Sequence, residues 1–461
     1  MISKNKKIKI HFIGIGGIGM SGIAELMHKI GYTVLGSDSN ESENIKRLKN
    51  IGISVRIGHN KKNLKDVNAV VFSSAIKQNN PEILEAKKNN IPIVSRADML
   101  GELMKNKKCI AIAGSHGKTT TTSLVGNILE SGKLDPTIVN GGIINSLSKN
   151  NKFGKGEWMV VEADESDGSF LKLPHQISII TNLDIEHLDF YKTKKNLHLA
   201  FEKFIMNLPF YGISIVNIDD KNLKKIINNN DKKKIITFSK KNKFADIFID
   251  KIIFKKEYSY FNLKFNIPIH NISGSHSYKI KAIGLHNVLN GTASVIAGLL
   301  AGVKNTYVKK ALLNYIGVKR RFSNLGRINS SNIFDDYAHH PTEIAATLKG
   351  AKQINKNVIV IFQPHRYSRT KILFNEFIYV LSKIKKIYLL DTYSAGEKKI
   401  KGFESIDLYL KLKKINNNIV YVGEKNLNRL IYTETSKKNI IIFMGAGSIS
   451  KKASNFMKIN E

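Results

Sequence analysis

The sequence predicts an α/β protein of three domains, each a mainly parallel sheet flanked by helices. Three observations carry this prediction. Short β-branched apolar runs alternate with helical stretches along all 461 residues, and such alternation implies crossover helices between parallel strands. Two glycine-rich turns each lie between a strand and a helix. Several later strands run directly into acidic or His-bearing turns, where open α/β sheets place their ligands.

The first block extends to about Lys107. Ile8–Ile13, Thr33–Gly36, Ala69–Ser73 and Pro92–Val94 read as strands, with a helix over Ile18–Ile30. The second block runs from Lys108 to Val318, with strands at Cys109–Ala113, Trp158–Glu162, Ile177–Thr181 and Ile213–Asn217. Apolar and polar residues alternate between Asp246 and Asn266, which predicts a small antiparallel sheet appended to the parallel one. Leu285–Val303 is the longest apolar stretch, but His286, Asn287, Asn290 and Thr292 interrupt it, so a buried helix is expected and not a membrane span. The third block, from Lys319 to Glu461, has strand candidates at Ile333–Asp335, Val358–Phe362, Ile387–Leu390, Ile419–Val422 and Ile440–Met444.

Lys and Arg outnumber Asp and Glu by 73 to 37, a formal net charge of +36. The lysines are interspersed with Asn and Ile and form no aromatic-interleaved basic face, so a compositional bias is expected and not specific nucleic-acid binding. A positive surface still favours anionic substrates. The single cysteine, Cys109, excludes an intrachain disulfide framework and a cysteine zinc site. Its place in a predicted strand makes it a buried small hydrophobe, and the composition fits a cytoplasmic protein. The basic Lys4–Lys9 and apolar Ile10–Met20 resemble a signal peptide only superficially, because patterned glycines break the apolar run.

Gly114-Ser115-His116-Gly117-Lys118-Thr119-Thr120 follows the Cys109–Ala113 strand. The glycines let backbone N–H groups turn towards phosphates, Lys118 supplies a point charge and the Thr119 hydroxyl suits Mg²⁺. The usual Walker spacing would place glycine at position 112, which is isoleucine here. Gly14-Ile15-Gly16-Gly17-Ile18-Gly19 fits G-x-G-x-x-G after a strand, with Asp38 at the expected offset. On its own this motif reads as a nicotinamide-dependent oxidoreductase; physically it encodes a diphosphate on a helix N-terminus. Glu162-Ala163-Asp164-Glu165-Ser166-Asp167 and Asn182–Asp189 follow strands of the phosphate-loop sheet, which makes Glu162 and His187 candidate metal or phosphate contacts. In the third block Asp335–Pro341 and Gln363–Arg369 also follow strands. Arg366 and Arg369 form a candidate clamp for a carboxylate or phosphate.

Taken in order, Gly14–Ser21, Gly36–Asp38, Ser73–Ile76, Gly114–Thr120, Glu162–Asp167, Asn182–Asp189, His286–Asn290, Lys319–Phe322, Asp335–Glu343, His365–Thr370 and Gly445–Ser448 resemble the Mur ligase family over essentially the whole chain. Ser115 is a departure, since threonine is commoner there. The resemblance implies three domains: a Rossmann-like UDP-sugar domain (1–107), a P-loop ATP and Mg²⁺ domain (108–318) and a Rossmann-like domain for amino acid and ATP closure (319–461). It implies an amide ligase of peptidoglycan precursor synthesis, joining L-alanine to the lactyl carboxylate of UDP-N-acetylmuramate through an acyl phosphate. Mg²⁺, or Mn²⁺ in its place, would be the metal, and monomer or homodimer stays open. A ligase that recycles a preformed tripeptide onto the same UDP-sugar is the alternative within the family.

The resemblance also implies roles by position. Gly14, Gly16, Gly17, Gly19, Met20, Ser37, Asp38, Ser73 and Ser74 would hold the UDP-sugar. Gly114 to Thr120, His286, Asn287, Asn290 and Arg321 would hold ATP, with Thr119, Glu162 and His187 on metal. Tyr337, His339, Arg366 and Arg369 would hold L-alanine. Lys118, Glu162, His187 and His339 would serve the chemistry, with domain closure excluding water.

Overall fold

The computed structural model describes residues 8–73, 75–147, 149–228 and 234–460. The chain divides into two compact units, one of Met1–Asp250, Asn262–Tyr278 and Leu289–Asn314, the other of Lys251–Phe261, Lys279–Val288 and Tyr315–Glu461.

The first unit holds one sheet whole and most of a second. The smaller has the strand order Ser54–Ile57, Thr33–Asp38, Lys9–Ile13, Ala69–Phe72, Ile93–Ser95, all parallel. Order reverses at the central Lys9–Ile13 strand, so the Gly14–Gly19 loop emerges at the switch point, where doubly wound sheets open a crevice. The Ile18–Ile30 helix that follows ends at Gly31, whose φ of 110° lets its N–H close on the last carbonyls.

The larger sheet contains ten strands. At its centre, Lys108–Ala113 lies parallel between Ile177–Ile180 and Trp158–Glu162. Apart from Lys108, Glu162 and Ser178 these runs are apolar, because both faces are covered. Shared direction brings the turns after all three strands to one edge, which builds the site below. The expected antiparallel addition is present as Ile247–Lys255, Tyr258–Ile269 and Ile272–Ile280. Two-residue links with φ of 53° at Lys256 and 50° at His270 reverse the chain between them. Leu285–Leu300 forms the expected helix.

Sequence reading missed the antiparallel pair Thr137–Ile144 and Lys149–Lys152 on the opposite edge. Lys149-Asn150-Asn151-Lys152 has no apolar residue, yet Asn150 and Asn151 are 3% and 2% exposed. Asn150 Nδ2 donates to the Ile18 carbonyl at 2.9 Å and Asn151 Nδ2 to that of Gly22 at 3.4 Å. Tertiary hydrogen bonds to the first helix, not hydrophobicity, bury this strand, and they tie the two sheets together.

The second unit carries a six-stranded sheet in the order Ser323–Ile328, Ser331–Asp336, Ile440–Met444, Val358–Phe362, Lys386–Leu389, Ile419–Tyr421. Only the first pair is antiparallel. Ser323–Ile328 is the strand the sequence did not signal; a register shift between Asn324 and Gly326 breaks its alternation. Asp336, Met444, Phe362 and Leu389 share one register level, so the turns that follow them are neighbours.

Candidate active site

The phosphate loop leaves the sheet at Gly114, whose φ is 127°. A Cβ there would overlap Thr181 Oγ1 and lie 3.0 Å from the Asn182 carbonyl oxygen. Gly117, with φ of 83°, caps the Lys118–Ser131 helix, and a Cβ on it would stand 2.7 Å from Asn290 Oδ1. Glycine is required at both places, by backbone and by space. Asn290 therefore sits directly against the loop.

The turn after Ile177–Ile180 locks this loop. His116 N–H donates to Asn182 Oδ1 (2.9 Å), while Asn182 Nδ2 and Thr181 Oγ1 donate to the His116 carbonyl (2.9 and 2.6 Å). Asp184 N–H donates to Ser115 Oγ at 2.9 Å, and the His116 ring meets Asp184 Oδ2 at 2.8 Å. The side chains of Ser115 and His116, expected on ATP, are thus braces between two turns. Thr120 is half-buried in the first turn of the helix.

Lys118 Nζ donates to the carbonyls of Gly114 (2.6 Å) and Ser115 (3.2 Å) and to Glu165 Oε1 (2.8 Å). Burial disfavours its charge, but Glu165, Asp164 and Glu162 outweigh that and hold its pKa above the ordinary lysine value. Burial pushes the Glu165 carboxyl up to about 7 against the pull of Lys118. Thr119 Oγ1 donates to Glu162 Oε1 at 3.1 Å, and the other Glu162 oxygen accepts from Gly141 N–H at 2.7 Å. His187, in a left-handed conformation (φ 57°), carries Nε2 3.8 Å from Glu165 Oε1.

These residues fit a divalent cation. Ligand atoms of Glu165, Glu186 and His187 lie within 4.8 Å of one another. Glu165 Oε2 is buried without a hydrogen-bond partner among the described residues. Carboxylate, hydroxyl and imidazole donors suit a hard cation beside phosphates. Glu165, Glu186 and Asp184 were not singled out from the sequence, because nothing in two acid-rich runs distinguishes which carboxylate faces Lys118.

At the first glycine loop, Gly16 N–H donates to Asp38 Oδ2 at 2.8 Å and its carbonyl accepts from Asn44 Nδ2 at 2.9 Å. Asp38 therefore braces the loop. Met20 is in the core, and the buried Ser37 hydroxyl donates to Glu82 at 2.6 Å, so both support the loop from behind. Ser73 accepts from Ala75 N–H at 3.4 Å, and Ser74 lies outside the described residues. Arg96, which sequence reading passed over, brings its guanidinium to the loop's far end, at the start of the helix: a Cβ on Gly19 would be 3.2 Å from its Nη1.

In the second unit, the turn after Ser331–Asp336 is held by buried Asp336, which accepts from Ala338 N–H (2.7 Å) and Phe322 N–H (2.8 Å). Arg320 and Arg321 stack over the Tyr337 ring, 4.7 and 5.1 Å from its centre. Arg321 also approaches Glu343 at 3.7 Å, and Glu343 accepts from His339 N–H at 3.1 Å. The His365 ring lies 5.8 Å from that of His339 and stacks on Tyr393 at 5.5 Å; its Nδ1 is 3.4 Å from Arg369 Nη1. Arg366 adopts φ of 70° and its N–H donates to the Tyr393 carbonyl at 2.8 Å. Tyr337, His339 and Arg369 lie near one another, joined by His365 and Tyr393. Tyr393 arrives from a distant turn and left no local signal.

Burial pushes His339 down to about 3 and His365 down to about 4, with nearby arginines adding to both. Both rings are neutral at pH 7. His339 Nδ1 faces the Tyr337 carbonyl at 2.9 Å, so it carries the proton and Nε2 is an acceptor. A group held so low is a poor base. His286 is likewise pushed down to about 4 by burial, and the Asn287 amide is engaged with the Ile283 carbonyl at 2.8 Å.

No helix among the described residues is long and apolar enough to cross a membrane. Cys109 is buried, and burial pushes its thiol up to about 12.

Three family models match in sequence order: "Mur ligase family, catalytic domain" over residues 9–108, "Mur ligase middle domain" over 112–298 and "Mur ligase, glutamate ligase domain" over 320–447. The UDP-N-acetylmuramate–L-alanine ligase of Methylocella silvestris is 44% identical over 452 residues, 96% of each chain. That of Rickettsia bellii is 45% identical over 454 residues, covering 96% of this chain and 95% of its own. Among solved structures, the UDP-N-acetylmuramate-alanine ligase of Thermotoga maritima superposes with a TM-score of 0.82 at 29% identity, covering 98% of this chain and 99% of its own. A murein peptide ligase from Psychrobacter arcticus shares the fold, with a TM-score of 0.71 at 23% identity and 98% of each chain covered. With three successive domain matches and relatives aligned end to end, this chain belongs to the Mur ligase family.

Proposed function

We infer that this chain joins L-alanine to the lactyl carboxylate of UDP-N-acetylmuramate, converting ATP to ADP and phosphate, in the cytoplasm and in peptidoglycan precursor synthesis. The observation that carries the reading is the 44% identity to such a ligase over 96% of both chains. We assign the functional domains to 1–107, 108–318 and 319–461.

A carboxylate does not react with an amine until its oxygen becomes a leaving group. Transfer of the γ-phosphoryl group of ATP makes an acyl phosphate. The amine attacks its carbonyl carbon, and the tetrahedral intermediate expels phosphate to leave the amide. No protein nucleophile is needed, so these residues position groups and neutralise charge. Lys118 stabilises the transferring phosphoryl oxygens. Thr119 and Glu162 would hold one divalent cation and His187, with Glu165 and Glu186, a second; such ions offset charge on the phosphates. Asn290 stands beside the loop that cradles them.

The Gly14–Gly19 loop, braced by Asp38, takes the diphosphate of the UDP-sugar, and Arg96 adds a cation there. Arg366 and Arg369 hold the L-alanine carboxylate. His339 Nε2 accepts a hydrogen bond from the amine and orients its lone pair, while the amine's proton leaves to solvent.

The experiment is phosphate release from ATP and Mg²⁺ with each substrate alone and both together. Release requiring both UDP-N-acetylmuramate and L-alanine supports the reading, and Lys118→Ala is then expected to lower it by about 10²-fold or more. Release with a tripeptide but not L-alanine would reassign the chain to the recycling reaction.

A further inference from the structure

An ammonium has three N–H bonds. In Lys118 all three are spent, on Gly114 O, Ser115 O and Glu165 Oε1 at 2.6, 3.2 and 2.8 Å. A lysine that stabilises a phosphoryl group must therefore give up at least one of these acceptors. The two carbonyls belong to the phosphate loop and travel with it. Glu165 belongs to the turn after Trp158–Glu162, and its negative charge opposes that of incoming phosphates.

A buried carboxylate stripped of its cation is unfavourable unless another partner takes it. Glu165 is 1% exposed. Its Oε1 already lies 3.8 Å from His187 Nε2, its Oε2 has no hydrogen-bond partner among the described residues, and Glu186 completes a ligand set within 4.8 Å. The backbone of the turn is fixed: the Glu165 carbonyl accepts from Tyr191 Oη at 2.5 Å and from Gly168 N–H at 3.1 Å. Exchange then needs only side-chain rotation.

We propose that Glu165 is a positioning residue that trades partners: it holds Lys118 over the phosphate loop, releases it to the phosphates of ATP, and passes its own carboxylate to the cation site shared with Glu186 and His187. The exchange couples metal loading to nucleotide binding, and it rests on the nucleotide assignment made above.

The test compares the parent with Glu165→Gln, reading binding and not turnover. A non-hydrolysable ATP analogue is titrated in EDTA, and Mn²⁺ binding to the analogue complex is followed by electron paramagnetic resonance. Removing the competing charge is expected to tighten metal-free analogue binding by about fivefold or more, a size typical of coupling between two ligands. Removing a ligand is expected to weaken Mn²⁺ binding by about tenfold. Loss of structural support alone would not raise an affinity. Glu165→Asp keeps the charge, so it should retain the weak metal-free binding of the parent. It also provides the comparison if the Gln variant is unstable. Equal or weaker metal-free binding in a folded Glu165→Gln, or Mn²⁺ binding unchanged in it, overturns the exchange. A parent that binds no analogue even with Mn²⁺ would instead overturn the nucleotide assignment.

Discussion

Gly114 is where strand geometry, backbone conformation and the candidate site meet, and Gly114→Ala perturbs all three. At φ of 127° an alanine is strained, which costs about 1–3 kcal/mol. The new Cβ overlaps Thr181 Oγ1 and crowds Thr181 N and Asn182 O, both 3.0 Å away; overpacking of this kind costs about 1–3 kcal/mol more. Thr181 cannot simply retreat. Its hydroxyl donates to His116 O at 2.6 Å and its N–H to Ala113 O at 3.1 Å, the last rung of the central sheet. A total near 4 kcal/mol is expected. The assay is urea unfolding followed by the fluorescence of Trp158, the only tryptophan, which pairs with Lys108 at the other end of the same strand. Thr181→Ala removes the overlapping atom, so the double variant should recover about 1–2 kcal/mol relative to the sum of the singles. Additivity within about 0.5 kcal/mol would refute the steric argument. A saturating nucleotide, which stabilises the parent by about 2.7 kcal/mol at 100 times its dissociation constant, should leave Gly114→Ala unmoved.

Three further outcomes follow from other sites. Arg96→Ala should weaken UDP and UDP-N-acetylmuramate binding alike, by about tenfold, and leave nucleotide binding unchanged; isothermal titration showing no loss for UDP would remove Arg96 from the diphosphate site. Arg369→Lys keeps the charge but loses the planar fork, so KM for L-alanine should rise at least about tenfold with kcat less affected; an unchanged KM counts against the clamp. Burial holds His175, stacked on Phe204 at 4.4 Å, down to about 4 from 6.5. Its folded pKa is depressed, so as pH falls from 6.5 towards 4 the unfolded chain takes a proton the native state refuses, and stability drops by about 1.4 kcal/mol per pH unit. His175→Phe should therefore match the parent at pH 7.5 and exceed it by about 2 kcal/mol at pH 5; equal urea midpoints at pH 5 would show that His175 does not titrate in this range.

What could be read from the sequence depended on where each stabilising contact lies along the chain. The Lys108–Ala113 and Ile177–Ile180 strands are buried on both faces, so their apolar runs announce them. The glycine loops announce themselves because a positive φ demands a particular residue. Lys149–Lys152 has the composition of a turn and becomes a strand only through hydrogen bonds to a helix more than a hundred residues away. Asp38 sits at the offset where a ribose-binding acid is expected, and one of its carboxylate oxygens accepts from Gly16 N–H. Spacing placed the residue correctly; the partner of its oxygens is a tertiary fact.

The same distinction governs the carboxylates around Lys118. Glu162, Asp164 and Glu165 fall within four residues, and no spacing rule separates them. The strand pleat does. Ile112 pairs with Glu162 at the end of adjoining parallel strands, so the Glu162 side chain meets the Thr119 hydroxyl, whereas Glu165 lies beyond the strand, in the turn that folds under Lys118. Burial then sorts them chemically. Glu165 is pushed up to about 7, and Asp164, desolvated but dominated by Lys118, is held below the ordinary carboxylate value. Identical side chains thus acquire different partners from a displacement of three residues. The difference between Glu162 and Glu165 is one of reach: Glu162 addresses the threonine at the head of the helix, and the Glu165 carboxylate faces both the Lys118 ammonium and the His187 ring. A residue that contacts both groups can couple them, and that makes Glu165, more than the signature lysine, the position whose substitution says most about how this site is loaded.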